Sequence, residues 1–110
     1  MTNKMEGAWE LVSGQPLPKG VRDIKILSDG HFMFSAYDTN TGNPNYVAGG
    51  TYTLDGESYV EHMTFASDKI PKGLVGKDQF FTVNLSDDEF TQEGVLSNGK
   101  ELSEKFRRLK

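Results

Sequence analysis

The chain has 110 residues and a net charge of -4, so it carries no overall basic surface for nucleic acid or an anionic membrane. It has no cysteine, which excludes disulfides, thiolate metal sites and cysteine nucleophiles together. With 35% hydrophobic and 25% charged residues, the composition is that of a globular domain whose core can fold without metal or disulfide support. We therefore predict one domain over residues 1–110, with no nucleic-acid partner and no membrane insertion.

The N-terminal sequence, Met1 to Ser13, lacks the apolar run of a signal peptide. No stretch of the chain approaches the roughly 18 apolar residues of a transmembrane helix. We expect a soluble form that is either cytoplasmic or already trimmed of an export signal.

Three glycine-containing pairs, Asp29-Gly30, Asp55-Gly56 and Asn98-Gly99, sit between runs that alternate apolar and polar residues. Such pairs accept the positive φ angles of a two-residue hairpin turn, which predicts a meander of antiparallel strands. In chain order the predicted strands are Glu6–Ser13, Val21–Ser28, His31–Tyr37, Gly49–Leu54, Ser58–Phe65, Asp78–Leu85, Glu89–Leu96 and Lys100–Leu109. Because an open meander leaves two exposed edges, we predict an all-β, eight-stranded antiparallel up-and-down barrel, with an open sheet or two-sheet roll as the alternative.

Two longer connections interrupt this pattern. Asp38–Val47 is rich in Asn, Thr, Gly and Pro and is predicted to be a loop. Ala66–Lys77 is predicted to hold a short helical turn or an ordered lid, because Pro71, Gly73 and Gly76 disfavour a long helix.

The first hairpin has apolar side chains on both faces. Its turn places Leu27 opposite Phe32 and Lys25 opposite Phe34 on one face, and Ile26 opposite Met33 on the other. One barrel interior cannot bury both faces. We therefore predict a homodimer, with a lid from the N-terminal loop as the alternative.

The second hairpin has one aromatic-rich face. A turn at Asp55-Gly56 sets Tyr52 opposite Tyr59, and its predicted inner face carries Tyr52, Tyr59, Glu61, Met63 and Phe65. His62 then points outward.

The third hairpin brings two acids together. A two-residue turn at Asn98-Gly99 places Glu93 opposite Glu104, on a face shared with Val95, Leu102, Phe106 and Arg108. Buried facing carboxylates need a shared proton, a cation or an arginine, for which Arg108 is the nearest candidate. From the residues alone, the opposite face of this hairpin could equally be the inner one.

Glu61, Glu93 and Glu104 are the candidate catalytic residues, because a carboxyl in an apolar pocket has a raised pKa and can act as a general acid or base. The alternative is that they are satisfied by Arg108, tyrosine hydroxyls or trapped water. His31 and His62 lie at unrelated positions, so we expect no metal site, and the sequence has no phosphate-binding loop or nucleophile elbow. We expect no cofactor.

Short motifs follow one another along nearly the whole chain: Gly7-Ala8-Trp9-Glu10-Leu11, Lys25-Ile26-Leu27-Ser28-Asp29-Gly30-His31-Phe32, Gly50-Thr51-Tyr52, Tyr59-Val60-Glu61-His62 and Glu104-Lys105-Phe106-Arg107-Arg108. Their order resembles that of the calycin superfamily, and specifically of small bacterial lipocalin-like domains of uncharacterised function. The chain has Phe106 where those relatives tend to have tryptophan. The resemblance implies that Trp9 packs at a closed barrel end beneath an arginine of the last strand, Arg108 or, failing that, Arg107. It also implies that Glu61, Glu104 and Arg108 point inward.

The resemblance also implies a function, the reversible binding of a small, partly apolar molecule in the barrel mouth. The expected ligand-binding residues are Tyr37, Tyr52, Tyr59, Met63, Phe106 and Arg108. The alternative is a cavity enzyme, such as an isomerase, cyclase or hydrolase, that uses a buried glutamate as general acid or base. A third interpretation is a closed, fully packed barrel whose outer face serves in dimerisation or in a complex with a partner.

Overall fold

The computed structural model of the chain describes residues 4–110, which form eight antiparallel strands in simple succession. The strands are β1 Gly7–Ser13, β2 Val21–Ser28, β3 His31–Asp38, β4 Pro44–Asp55, β5 Ser58–Ala66, β6 Asp78–Leu85, β7 Glu89–Val95 and β8 Glu101–Arg108. Each strand pairs with the next, and β1 also pairs with β8. The predicted closed up-and-down barrel is confirmed.

Strand β4 begins earlier than predicted. The polar segment after β3 forms a short turn. The Asp38 amide donates to the Asn43 carbonyl, and the Asp38 carboxylate accepts from the Asn40 amide. Pro44 and the residues after it then pair with β3, with Tyr46 opposite Ala36. The predicted loop at Asp38–Val47 is therefore too long, and Tyr46 belongs to the barrel wall.

The first hairpin has the predicted register. Asp29 and Gly30 both have positive φ angles, of 51° and 76°, as a type I′ turn requires. Leu27 lies opposite Phe32 and Lys25 opposite Phe34.

The second hairpin turns one residue later than predicted. Asp55 pairs with Ser58, so the central turn residues are Gly56 and Glu57, and Tyr52 lies opposite Glu61 rather than Tyr59. The partner changes by two positions, which leaves the side chains between the turn and Met63 on their predicted faces. Tyr52, Tyr59, Glu61 and Met63 are accordingly buried.

Phe65 is the exception on this face. The pairing of β4 with β5 shifts between Gly49 and Gly50, which inserts an extra residue in β5 and reverses the inward and outward alternation. Phe65 is consequently 42% exposed on the outer surface, and its predicted inward position is wrong.

The third hairpin has a three-residue loop, Ser97 to Gly99, because the Leu96 amide donates to the Lys100 carbonyl and the Gly99 amide donates back to the Leu96 carbonyl. Gly99 takes the positive φ angle, of 90°, that this loop type needs at its last position. Gln92 therefore lies opposite Glu104, and Glu93 lies opposite Ser103. The predicted pairing of Glu93 with Glu104 is wrong, and Glu93 is exposed on the outer face.

One end of the barrel is closed by Trp9, which is fully buried. Its ring packs edge to face against the Phe90 ring, with ring centres 4.7 Å apart, and its Nε1 donates to the Met5 carbonyl at 2.9 Å. The Arg108 guanidinium lies 4.1 Å from the centre of the Trp9 ring. The predicted stacking of Trp9 on Arg108 is confirmed.

The opposite end is covered by the segment 67–77, which we call the cover segment. It consists of turns, so the lid rather than the helical turn is found. Leu74 is 3% exposed and packs against Ala48 and Met63, and the Gly76 amide donates to the Met63 carbonyl at 2.7 Å. Within residues 4–110, no helix is long and apolar enough to cross a membrane.

Candidate functional site

A cavity of about 300 Å³ lies inside the barrel beneath the cover segment. This volume is at the lower end of the range for small-molecule sites, roughly 300–1,000 Å³. Its apolar wall includes Phe34, Met63, Leu74, Phe81, Leu102 and Phe106. Its polar wall includes Asp23, Lys25, Tyr46, Glu61, Gln79, Gln92 and Glu104. The barrel therefore holds a space that its own side chains do not fill.

The polar wall is built by strand alternation. Because successive side chains of a strand point to opposite faces, the inward position of Leu27 also directs Lys25 and Asp23 of β2 into the barrel. The same alternation directs Glu61 of β5 and Glu104 of β8 inward. Three carboxyl groups and one ammonium group thus meet in one interior.

Lys25 forms the floor of the cavity. It is 2% exposed, and its Nζ donates to Glu61 Oε2 and, at 3.1 Å, to Gln92 Oε1. Three aromatic rings surround the ammonium at 5.1–5.6 Å, those of Phe32, Tyr59 and Phe106. A buried lysine needs this set of partners, since an unpaired buried charge is strongly unfavourable.

Glu61 accepts two hydrogen bonds at this floor. Its Oε2 accepts from Lys25 and also from the Tyr59 hydroxyl, at 2.6 Å. Burial raises the pKa of Tyr59 well above its ordinary value, and the neighbouring Glu61 charge raises it further, so the hydroxyl stays a donor. Glu61 is therefore hydrogen-bonded to Lys25 and Tyr59 rather than free to act as a base.

Asp23 and Glu104 form a second polar group nearer the mouth. Asp23 Oδ2 accepts from the Tyr46 hydroxyl at 2.5 Å, and Glu104 Oε1 accepts from Gln92 Nε2 at 2.9 Å. Burial raises the pKa of both carboxyls, and Asp23 and Glu61 raise that of Glu104 further, against the opposing effect of Lys25. These two acids hold protons more readily than acids at the surface.

The predicted site residues divide into three groups. Glu61, Met63, Glu104 and Phe106 line the cavity. Tyr52 and Tyr59 are buried in the core beside it, with ring centres 5.6 Å apart. The others lie away from it: Tyr37 opposite Arg22, Glu93 on the outer face, and Arg108 at the closed end, where it donates to the Glu6 carbonyl at 2.9 Å.

Sequence reasoning missed Asp23, Lys25, Tyr46 and Gln92. The signal for Lys25 was present, because its partner Phe34 and its neighbour Leu27 both face inward. Tyr46 lies in a segment that was predicted to be a loop. Gln92 was predicted on the outer face of the third hairpin, because the predicted register was wrong by one residue.

The two histidines are away from the cavity. His31 Nδ1 contacts the Asp29 carbonyl, and His62 Nδ1 lies 2.7 Å from the Asp78 carboxylate on the outer surface. In the described part of the chain, no group of three or more His, Cys, Asp or Glu side chains could hold a metal ion.

Comparison with known proteins supports the fold. No family model and no curated protein matches the sequence. A solved structure that is similar is a de novo designed fluorescence-activating beta barrel, with a TM-score of 0.59 and 20% sequence identity. The alignment covers 96% of this chain and 94% of that one. At this identity the likeness establishes the barrel fold and leaves the family open.

Proposed function

We propose that this protein binds a small, partly apolar molecule inside the barrel. The observation that carries the proposal is the cavity of about 300 Å³, whose wall combines aromatic and aliphatic side chains with a few converging polar groups. We keep the bacterial lipocalin-like relationship as part of this proposal, because the Trp9–Arg108 contact agrees with what that resemblance implies.

The apolar and polar parts of the cavity wall contact different parts of the ligand. Phe34, Met63 and Phe106 offer apolar surface, which stabilises a ligand in proportion to the area removed from water. Asp23 and Glu104 offer acceptors that orient the polar end of the ligand. Beneath Asp23 and Glu104, Lys25 and Glu61 form an ion pair that fixes the side chains at the bottom of the cavity.

A neutral fluorescent probe, N-phenyl-1-naphthylamine, tests whether the cavity takes up a small apolar molecule. We expect saturable fluorescence enhancement with one probe per chain. Leu102→Trp places a large ring at the cavity wall and should weaken binding by about tenfold or more. Val95→Trp adds the same ring at a 57% exposed position of the neighbouring strand and should leave binding unchanged. Equal binding by both variants would exclude the cavity as the site.

The position of Glu104 in the cavity favours a second candidate function, that of an enzyme that uses this residue as general acid or base. Glu104 lines the cavity, and burial raises its pKa, which brings a carboxyl closer to the range useful for proton transfer. Deuterium exchange at C1 of 2-tetralone, followed by NMR, tests for a buried base. Exchange faster than buffer that is lost in Glu104→Gln would support an enzyme, and a rate equal to buffer in wild type would remove the case.

We also propose that the protein forms a homodimer through the outer face of the first hairpin. Ile26 and Met33 are register partners on β2 and β3 and are 50% and 49% exposed. Together with Phe65 they line an apolar depression on the outer wall. Its lining has no Asp, Glu, Lys or Arg among the described residues, so two copies can face each other there without repulsion between like charges.

A further inference from the structure

The interior of the cavity has more acidic than basic side chains. Three carboxyl groups line it, those of Asp23, Glu61 and Glu104, and Lys25 bonds to Glu61 and to the amide of Gln92. Within the described chain, Asp23 and Glu104 therefore have hydrogen bonds from neutral groups alone, the Tyr46 hydroxyl and the Gln92 amide.

Asp23 also has an acceptor that nothing satisfies. The residue is 5% exposed, and among residues 4–110 its buried Oδ1 has no hydrogen-bond partner. A buried acceptor without a donor is unfavourable by about 1–3 kcal/mol, more if it is charged. Since Asp23 lines the cavity, a molecule bound there is placed to supply the donor.

The mouth of the cavity does not supply a cation to this pair. Lys69 donates to Asn45 Oδ1 at 2.6 Å, and both Lys69 and Lys100 are exposed side chains at the rim. Exposed ammonium groups are well hydrated and screened, so they compensate a buried carboxylate poorly.

We propose that the ligand carries a protonated nitrogen, an ammonium or amidinium, whose N–H groups donate to Asp23 Oδ1 and to the Glu104 carboxylate. Its apolar body packs against Phe34, Met63 and Phe106. Charge-assisted hydrogen bonds are about twice as strong as neutral ones, which selects a cation over a neutral molecule of the same shape. This inference rests on the proposed binding function and adds the chemical class of the ligand.

Three indoles of similar size separate the charge classes: tryptamine as the cation, tryptophol as the neutral alcohol and indole-3-acetate as the anion. Isothermal titration calorimetry should give an affinity for tryptamine at least about tenfold above that for tryptophol, with indole-3-acetate weakest.

The double variant Asp23→Asn with Glu104→Gln should remove the preference and keep tryptophol binding. The control Asp55→Asn with Glu101→Gln makes the same charge change at exposed positions and should keep the preference.

The outcomes separate this inference from the binding function. If tryptophol or indole-3-acetate binds as tightly as tryptamine, the cationic class is wrong while the cavity is still a binding site. If the preference survives in the double variant, Asp23 and Glu104 do not recognise the cation. If none of the indoles binds, the cationic class is wrong, and the N-phenyl-1-naphthylamine titration then decides the binding function by itself.

Discussion

Trp9 anchors the closed end through three different contacts: an edge-to-face contact with Phe90, a hydrogen bond to the Met5 carbonyl and the Arg108 guanidinium over its ring. Trp9→Ala should lower the free energy of unfolding by about 3–5 kcal/mol, the usual range for deleting a large buried aromatic side chain. Urea denaturation measures it. An unfolding midpoint close to that of the wild type would mean that this end of the barrel is not the main packed core.

Lys25 and Glu61 form a buried pair, 2% and 3% exposed. Lys25→Met leaves the buried Glu61 carboxyl without its cationic partner, and should lower the free energy of unfolding by about 3–5 kcal/mol. Adding Glu61→Gln removes the unpaired carboxyl and should restore a substantial part of the loss, which a double-mutant cycle in urea measures. Strictly additive losses would show that the two groups do not depend on each other.

Glu104 makes stability depend on pH. Burial raises its pKa in the folded state above the ordinary 4.5, so the folded chain binds this proton more tightly than the unfolded chain. The contribution of Glu104 to the free energy of unfolding therefore falls as pH rises through 4.5 towards the folded value, and stays low above it.

Glu104→Gln keeps the shape without the charge. We expect it to stabilise the protein at neutral pH by about 1 kcal/mol and to flatten the pH dependence. Thermal unfolding across the acidic to neutral range measures both, with Glu101→Gln, at an exposed position of the same strand, as the control. A loss of stability at neutral pH in Glu104→Gln would contradict the raised pKa.

At the scale of strands, the elements could be predicted and the registers only in part. Alternation and turn residues located the eight strands, because both depend on local chemistry. The three glycine turns differ, however: Asp29-Gly30 is the central pair of its turn, Gly56 is followed by a second central residue, and Gly99 ends a three-residue loop. A glycine can serve any of these positions, so the dipeptide alone does not set the register.

A register error of two residues keeps each side chain on its predicted face, whereas an error of one residue moves it to the opposite face. In the second hairpin, the opposing residue changed by two positions, and Tyr59 and Glu61 kept their predicted inward face. In the third hairpin, it changed by one position, which turned Glu93 outward and Gln92 inward. Because the loop has one residue more than predicted, Glu104 faces Gln92 instead of Glu93.

The extra residue of β5 opposite Gly49 and Gly50 forms a β-bulge. A Cβ on Gly50 would overlap the His62 carbonyl, so the close approach of β4 and β5 needs glycine there. Gly50→Ala should lower the free energy of unfolding by about 1–3 kcal/mol. Thr51→Ala, at the next and exposed position, should change it by about 0.5 kcal/mol or less. Chemical denaturation of both variants checks this, and equal effects would show that the bulge tolerates a side chain.

Across the whole molecule, the closed end was more predictable than the cavity. Trp9 and Arg108 follow a recognisable pattern at the two ends of the chain. The cavity instead depends on buried charged residues such as Lys25 and Asp23, which composition rules place at the surface. They are stable inside because hydrogen-bond partners from β4, β5 and β7 converge on them, and such convergence of distant strands has no local sequence signal.

The exposed apolar face of the outer wall predicts that two copies of the chain associate. Ile26, Met33 and Phe65 are each between 42% and 50% exposed, an apolar surface that a second copy of the chain can cover. Sedimentation equilibrium at micromolar protein should give twice the 12.2 kDa chain mass. Met33→Lys should shift the species to the monomer, because it places like charges face to face across a symmetric interface. Val95→Lys, at another exposed apolar position, should leave the dimer intact. A single 12.2 kDa species in the wild type would mean that this face remains open to solvent.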